Sequence, residues 1–470
     1  MFDAARSRRK SVILLVVLGS AWPLSHARAG VLNLDPFVTV GEFYTDNLLL
    51  APPGEPREDD FITEIEPGLR LDYAAPRLTA NVDYRLQGLV YADHSDMNHA
   101  YSQLNANATL EAIEDWFFIN GRTIYDHQVI DPERTGGRNN LFGGTNRTGL
   151  SATTISPYLQ HDFGSVGVAT LRYGYGRVYY SSDIPDITSN TYSFLLARQP
   201  QYGDLTYDLF YLDQEINPDR GRDLSFKQAR LGLQYHVSAR TALVANVGKE
   251  NQFLPNGAID ELGSTFWNAG VRWQAEKDRL EILYGHRFFG ASYQFSWHHD
   301  GADIHTDVSY LEEPTNYNRL LLGRQPTTAI ESPYFSYAEL PSLRNRRVFV
   351  LKRAALNVAF DLSDSQIRVR LYDEHRNYVE LAENDHVQGG RIAWEFAMGT
   401  RDSLVPSYSY RRYEFRDGQI NYYYRSQIAW SHKLGRTLSM RVAARNEKRN
   451  TIRGQGYRVN TILLEVTKHF

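Results

Sequence analysis

The chain has 470 residues, none of them cysteine, with 51 basic and 55 acidic side chains and a net charge of −4. The lack of thiols excludes disulfides, haem attachment, thiolate metal sites and lipidation at an N-terminal Cys. The lack of a basic excess speaks against nucleic acid as a partner.

Residues 1–29 read as a secretory signal. Arg6, Arg8, Arg9 and Lys10 form a positive head, residues 11–18 (S-V-I-L-L-V-V-L) an apolar core, and Ala27-Arg28-Ala29 a small-x-small cleavage site that makes Gly30 the new N-terminus. The core is too short to span a bilayer as a helix, and no other stretch approaches the ~20 apolar residues a membrane helix needs. Cleavage would remove five basic residues and one acid, leaving 46 against 54. The 31 tyrosines, 22 phenylalanines and 34 glycines suit strands with one apolar face each.

From residue 37 onward the chain alternates. Leu78, Ala80, Val82, Tyr84, Leu86 and Val90 stand against Thr79, Asn81, Asp83, Arg85 and Gln87. Ala229, Leu231, Leu233, Tyr235 and Val237 stand against Gln228, Arg230, Gln234 and His236. The same period of two recurs at 268–275, 392–398 and 438–445, and no segment shows a convincing 3.6 period. Short connections are expected at 74–77, 112–115, 162–165, 201–203, 238–240, 276–278, 300–302, 363–364, 400–403 and 433–436. Longer polar ones are expected at 47–60, 127–149, 215–224, 251–263, 375–390 and 447–456. The longest, 312–345, carries Pro314, Pro326, Pro333 and Pro341.

Short and long connections in alternation predict an all-β chain: one transmembrane antiparallel β-barrel over residues 30–470, with short periplasmic turns and long extracellular loops. Ten short turns and two terminal strands imply about 22 strands; the segment 288–310, where a bulge could replace a hairpin, widens the expectation to 18–22. The last stretch, Y-R-V-N-T-I-L-L-E-V-T-K-H-F, ends the chain on an aromatic residue. Ile462, Leu464, Val466 and Phe470 share one face and form the pattern read by the barrel-assembly machinery. Lys468, on the same face, departs from it. The expected surroundings are outer-membrane lipid and lipopolysaccharide.

By parity, Asp83, Arg85, Gln87, Arg230, Gln234, Arg272, Gln274, Arg368, Arg370, Arg425, Gln427 and Arg441 are expected to line a wide polar lumen. They can hydrogen-bond a hydrated solute, and the guanidinium groups can pair with carboxylates of an acidic polymer. The bland alternative is that they keep the pore wet and hold it round through cross-strand pairs. Tyr408, Tyr410, Tyr413, Tyr422, Tyr423 and Tyr424 are read as an interfacial girdle, with stacking on sugar rings as the sharper alternative. His298-His299-Asp300 with His305 falls on a predicted tight turn and is not taken for a metal site. Asp83 with Asp93, or Glu395 with Asp402, could be imagined as hydrolytic carboxylate pairs, but nothing in the sequence sets their separation. No G-x-S-x-G, H-E-x-x-H or Walker loop occurs. Neither an enzyme nor a metal or other cofactor is expected.

Leu34-Asp35-Pro36 followed by Glu42-Phe43-Tyr44-Thr45-Asp46-Asn47, then Asp60-Phe61-Ile62-Thr63-Glu64-Ile65 with Pro67-Gly68-Leu69, and later Phe288-Phe289-Gly290-Ala291-Ser292-Tyr293, resemble the outer-membrane proteins associated with the PEP-CTERM/exosortase system. The resemblance implies a barrel encoded beside exopolysaccharide genes that pairs with a short periplasmic polysaccharide-export protein. It supplies no catalytic residues. The expected function is an outer-membrane conduit taking part in exopolysaccharide export. The alternatives are a general or small-solute porin or uptake channel, and a structural or adhesin-like barrel.

Overall fold

The computed structural model describes residues 30–131, 140–142, 146–254, 256–322, 343, 347–381 and 383–470. The expected signal sequence, 1–29, lies outside the described residues. The first strands are β1 (Val31–Thr45), β2 (Asp60–Ala75), β3 (Leu78–Tyr91), β4 (His99–Ile113), β5 (Phe117–Val129), β6 (Arg147–Asp162), β7 (Val168–Tyr180) and β8 (Ile187–Ala197). Then come β9 (Leu205–Pro218), β10 (Leu224–His236), β11 (Thr241–Phe253), β12 (Ile259–Gln274), β13 (Asp278–Arg287), β14 (Gly290–Asp300) and β15 (Ile304–Thr315). A short helix, α1 (Tyr317–Leu322), precedes β16 (Phe349–Leu362), β17 (Ser365–Tyr378) and β18 (Asn384–Ala397). The last are β19 (Asp402–Glu414), β20 (Ile420–Lys433), β21 (Leu438–Thr451) and β22 (Tyr457–His469).

Strands adjacent in sequence pair antiparallel. β1 also pairs with β22, from Phe37↔His469 to Thr45↔Thr461, so the sheet closes on itself. Closure leaves no open edge, which a sheet facing hydrocarbon requires. The outward face is apolar: on β10, Leu231, Leu233 and Tyr235 are exposed while Arg230 and Gln234 point inward. Val40, Ile65, Leu243, Val247, Ile282, Leu371, Ile392, Ile428 and Leu464 extend this exposed band around the wall. An apolar belt of that extent belongs in lipid. Ile462, Leu464, Val466 and Phe470 all take the outward face of β22. Phe470 is 73% exposed, its N–H donates to Pro36 O at 3.0 Å, and the Lys468 ammonium lies over its ring.

All ten short turns fall where expected, and the 288–310 region is a true hairpin, with Arg287 opposite Gly290 and only two residues between β13 and β14. Gly290 has φ +107°, which such a turn needs and a β-carbon would resist. Several connections expected to be long are shorter. Residues 219–223, 254–258, 379–383 and 452–456 are all that separate their strands, and the longest connection begins only after Thr315. The reason is strand length. Most strands run 13–16 residues, beyond the ~9–11 that cross a bilayer, so their polar upper parts climb past the membrane as hairpins.

The lipid face gives a direct stability prediction. Ile282→Arg, in the middle of β13 and facing outward, should cost about 2–4 kcal/mol. Reversible folding into vesicles measures it, with no cost of that size expected for a same-strand inward change such as Arg279→Gln.

Candidate functional site: the lumen wall and its closed mouth

The inward faces of β1–β3 and β20–β22 carry an interleaved set of charges. Asp83 accepts from Arg85 Nε at 2.9 Å and from Arg70 Nε at 3.4 Å. Gln87 donates to Glu64 at 2.9 Å. Arg425 pairs with Glu447 at 3.1 Å and Arg441 with Glu465 at 3.3 Å, while Gln427 accepts from Arg445 Nε at 3.1 Å. On the opposite wall Arg230 pairs with Asp208 at 2.6 Å, and Arg272 bonds Glu281 and Gln234. Gln274 sits at the periplasmic end of β12, its N–H donating to Arg240 O. Most of these side chains therefore have a cross-strand partner, which holds neighbouring strands in register. Sequence reasoning missed the acids Asp208, Glu281, Glu447 and Glu465 because pairing depends on the register between strands.

Two of the arginines behave differently. Among the described residues Arg368 reaches only Glu395, at 3.8 Å with both side chains more than half exposed. Arg370 stands directly opposite Arg391, and among the described residues no carboxylate lies within ion-pair distance of either. Arg391 in turn aligns with Ser409, and Ser409 with Arg425. One row of the inner wall thus runs Arg370, Arg391, Ser409, Arg425 across four strands spaced ~4.8 Å apart. Like charges placed opposite each other destabilise a sheet, so this row costs stability and offers binding to an anion.

Above the polar wall the lumen changes character. Ile124, Leu150, Val178, Ile187, Ile216 and Phe226, from β5 to β10, point inward near the extracellular end and are buried. What buries them is chain folded into the barrel: Ile130, Ile184, Leu321, Leu322, Leu343 and Val348. A second seat on β1–β3 and β20–β22 is covered by Leu48 and Leu50 of the first loop and by Leu141 and Phe142 of the third. There Tyr91 Oη donates to Leu141 O at 2.9 Å, and Asn140 Nδ2 donates to Gln87 Oε1 at 2.7 Å. The expectation of a wide polar lumen therefore holds for the lower wall and is corrected for the upper, which is apolar because it seats the loops.

α1 spans this mouth. Tyr317 is fully buried against Phe349, its hydroxyl 3.2 Å from that of Tyr378 on β17. Leu322, at the other end, lies against Gly176 on β7; a β-carbon there would sit 2.8 Å from the Leu322 methyl. β7 and β17 stand ten strands apart in a ring of 22, so the segment reaches between nearly opposite walls. Arg319 locks it midway, donating from Nε to Gln214 Oε1 at 2.9 Å and from Nη1 to Pro314 O at 3.0 Å, with its guanidinium over Phe226. Arg376, buried with Glu374, donates to Tyr413 Oη at 2.7 Å and supports Tyr317 from below.

No family model matches the chain, and no curated protein matches it. Among solved structures it is similar to the FrpB iron transporter from Neisseria meningitidis in its apoprotein form. The identity is 8% and the TM-score 0.53, covering 93% of this chain and 81% of that one. It is also similar to the ferric enterobactin receptor PfeA from Pseudomonas aeruginosa, at 9% identity and TM-score 0.50, covering 93% and 80%. The fold is that of an outer-membrane β-barrel.

The remaining candidates on this outer-membrane barrel separate onto different faces. His298 points inward to Asp307 at 2.6 Å, His299 outward to Asp278 at 2.8 Å, and His305 sits between Asp300 and Asp361. These histidines do not converge on one point. Asp278 also accepts from Trp297 Nε1 at 3.1 Å, and Asp402 from Trp430 and His432 at 3.0 and 2.8 Å, so both carboxylates orient interfacial tryptophans. Asp402 thus faces outward while Glu395 faces the lumen, and Asp93 lies in the loop beyond β3, well above Asp83. Neither imagined carboxylate pair forms. Tyr408, Tyr410, Tyr422 and Tyr424 face outward as girdle residues, whereas Tyr413 and Tyr423 face inward, next to Arg376 and Arg449.

The first two loops are joined by His94, whose Nδ1 meets Asp60 at 2.8 Å and whose Nε2 meets Glu58 at 2.7 Å. The hydrogen bond to Asp60, then that to Glu58, raises the imidazole's pKa above its ordinary 6.5. A raised folded-state pKa stabilises where the group is protonated. The clasp is therefore fully present below about pH 6.5 and is lost as pH rises through the elevated value. Hydrogen exchange at 46–59 and 92–98 should be slower at pH 5.5 than at pH 8.5 after correction for intrinsic rates, and His94→Ala should erase the difference.

Proposed function

We propose that this outer-membrane barrel is a conduit with a self-closed mouth that takes part in passing an acidic exopolysaccharide out of the cell. The observation that carries this reading is the row Arg370, Arg391, Arg425 on the inner wall, two members of which have no carboxylate partner among the described residues. A polymer bearing carboxylates can exchange from one guanidinium to the next along such a wall without being held at one of them. The closed mouth supports the same reading, because a pore this wide left open would leak solutes. The resemblance of the first two strands and of 288–293 to exosortase-associated barrels points to the same cargo and to a periplasmic polysaccharide-export protein as partner. Deleting the gene should abolish surface polysaccharide while leaving its synthesis intact, and re-expression should restore it. Normal surface polysaccharide in the deletion strain contradicts the reading.

A second reading, a channel for small solutes, is favoured by the cavity of about 400 Å³ between β1–β3 and β21–β22, lined by Phe37, Glu64, Arg70, Arg85, Arg441 and Glu465. That volume suits a small molecule. Liposome swelling with size-graded sugars separates the two: steady sugar entry through the wild-type barrel favours the small-solute channel.

A further inference from the structure

On the outward face of the β17–β18 hairpin, His375 and His386 are directly opposed, and their rings stack 3.9 Å apart at 12°. Both aim Nε2 at a single carboxylate: His375 meets Asp373 Oδ1 at 3.1 Å and His386 meets Asp373 Oδ2 at 2.9 Å. Gln388 Nε2 donates to Asp373 Oδ2 at 2.8 Å and fixes the carboxylate's orientation. We propose that Asp373, His375 and His386 form a surface site for a divalent transition-metal cation of the zinc type.

The geometry carries this. One ligand atom from each residue lies within 4.8 Å of the other two. Four donors at ~2.0–2.1 Å around zinc are about 3.3 Å from one another, and the two N–O separations are already close to that. Replacing the imidazole protons by one cation needs only a slight opening of the cluster. Elsewhere among the described residues a carboxylate takes a single imidazole, as at Asp307, Asp35 and Asp402. Here two converge on one. Gln388 supplies the outer-shell hydrogen bond that metal-bound carboxylates use.

The level of the cluster in the barrel keeps it wet. Leu371 below it faces lipid, as do Tyr410 and Tyr424 on neighbouring strands, and Asp373 and His375 come next above. The flanking charges are already paired: Lys352, opposite His375, with Glu312 at 3.2 Å, and Glu414, opposite His386, with Arg412 at 2.6 Å. Three protein ligands leave a fourth position for water. The site is not legible in the sequence because its members come from two strands and meet only through the hairpin register. The expectation of no metal weighed only His298, His299 and His305.

The test is zinc titration of the full-length barrel in detergent by calorimetry, with Zn²⁺ alone as probe. One saturable site is expected, weakened by more than about tenfold in His375→Ala and in His386→Ala and unchanged in the distant control His298→Ala. Anomalous scattering at the zinc edge should place the ion among the three donors. The heat-modifiable gel shift of folded barrels confirms that each variant is folded, and Asp373→Asn serves if one histidine variant is not. Equal zinc affinity in the wild type and both histidine variants, or an anomalous peak elsewhere on the barrel, overturns the assignment.

Discussion

Excising the loop between β15 and β16, by joining Asn316 to Phe349 through a short Gly-Ser linker, is expected to raise single-channel conductance roughly tenfold, because a 22-stranded wall encloses a lumen that must otherwise be filled. The excision removes Tyr317, Arg319, Leu321 and Leu322, which tie α1 to β6, β7, β9, β16 and β17. It leaves every strand pairing intact, since Thr315 and Phe349 are already register partners. Planar-bilayer recording checks it. A milder form of the same experiment is Arg319→Ala with Gly176→Val, which breaks the central lock and fills the groove that receives Leu322. That variant should flicker between closed and open levels. Unchanged conductance in the excised barrel would mean that α1 does not close the path.

The second large effect concerns the arginine row. Arg370→Glu with Arg391→Glu, made in the loop-excised barrel, should turn an anion-preferring pore into a cation-preferring one. Two unit charges ~5 Å apart at an effective dielectric of 20 interact by about 3 kcal/mol. Two such sites reversed in sign are therefore enough to invert selectivity in dilute salt, where screening is weak. Reversal potentials in a KCl gradient read the change. The same double variant, in the otherwise wild-type chain, should fail to restore surface polysaccharide to a deletion strain while reaching the outer membrane at normal levels. A pore whose selectivity ignores both substitutions would remove the row from the transport path.

The strand count and closure were legible because their signals are local. A period of two, broken by turns such as 276–278 and 363–364, needs no knowledge of distant chain. The inward parity of Arg230 and Gln234 follows from the outward parity of Leu231, Leu233 and Tyr235 on the same strand. The closed mouth was not legible, because Leu141, Phe142, Leu321 and Leu322 sit in polar stretches and find their partners on strands far away in sequence. One sign was available: at 348–351 and 178–180 the alternation fails and both faces turn apolar, marking where strands have loops rather than water inside them. The loop lengths were misjudged for a related reason. Polar residues on both faces at strand tops, as at 375–378 and 384–388, look like loop but are hairpin standing above the lipid. The ion pairs and the arginine row depend on register between strands, which turn length sets and composition does not reveal.

The absence of native cysteine makes the decisive measurement clean. Single cysteines placed in turn at residues 229–235 of β10 can carry a nitroxide label, and its collision rates with oxygen and with a water-soluble nickel complex can be compared in lipid vesicles. A period of two is expected: nickel access high at 230, 232 and 234, oxygen access high at 231, 233 and 235. Equal access at odd and even positions would contradict a wall with lipid on one side and water on the other.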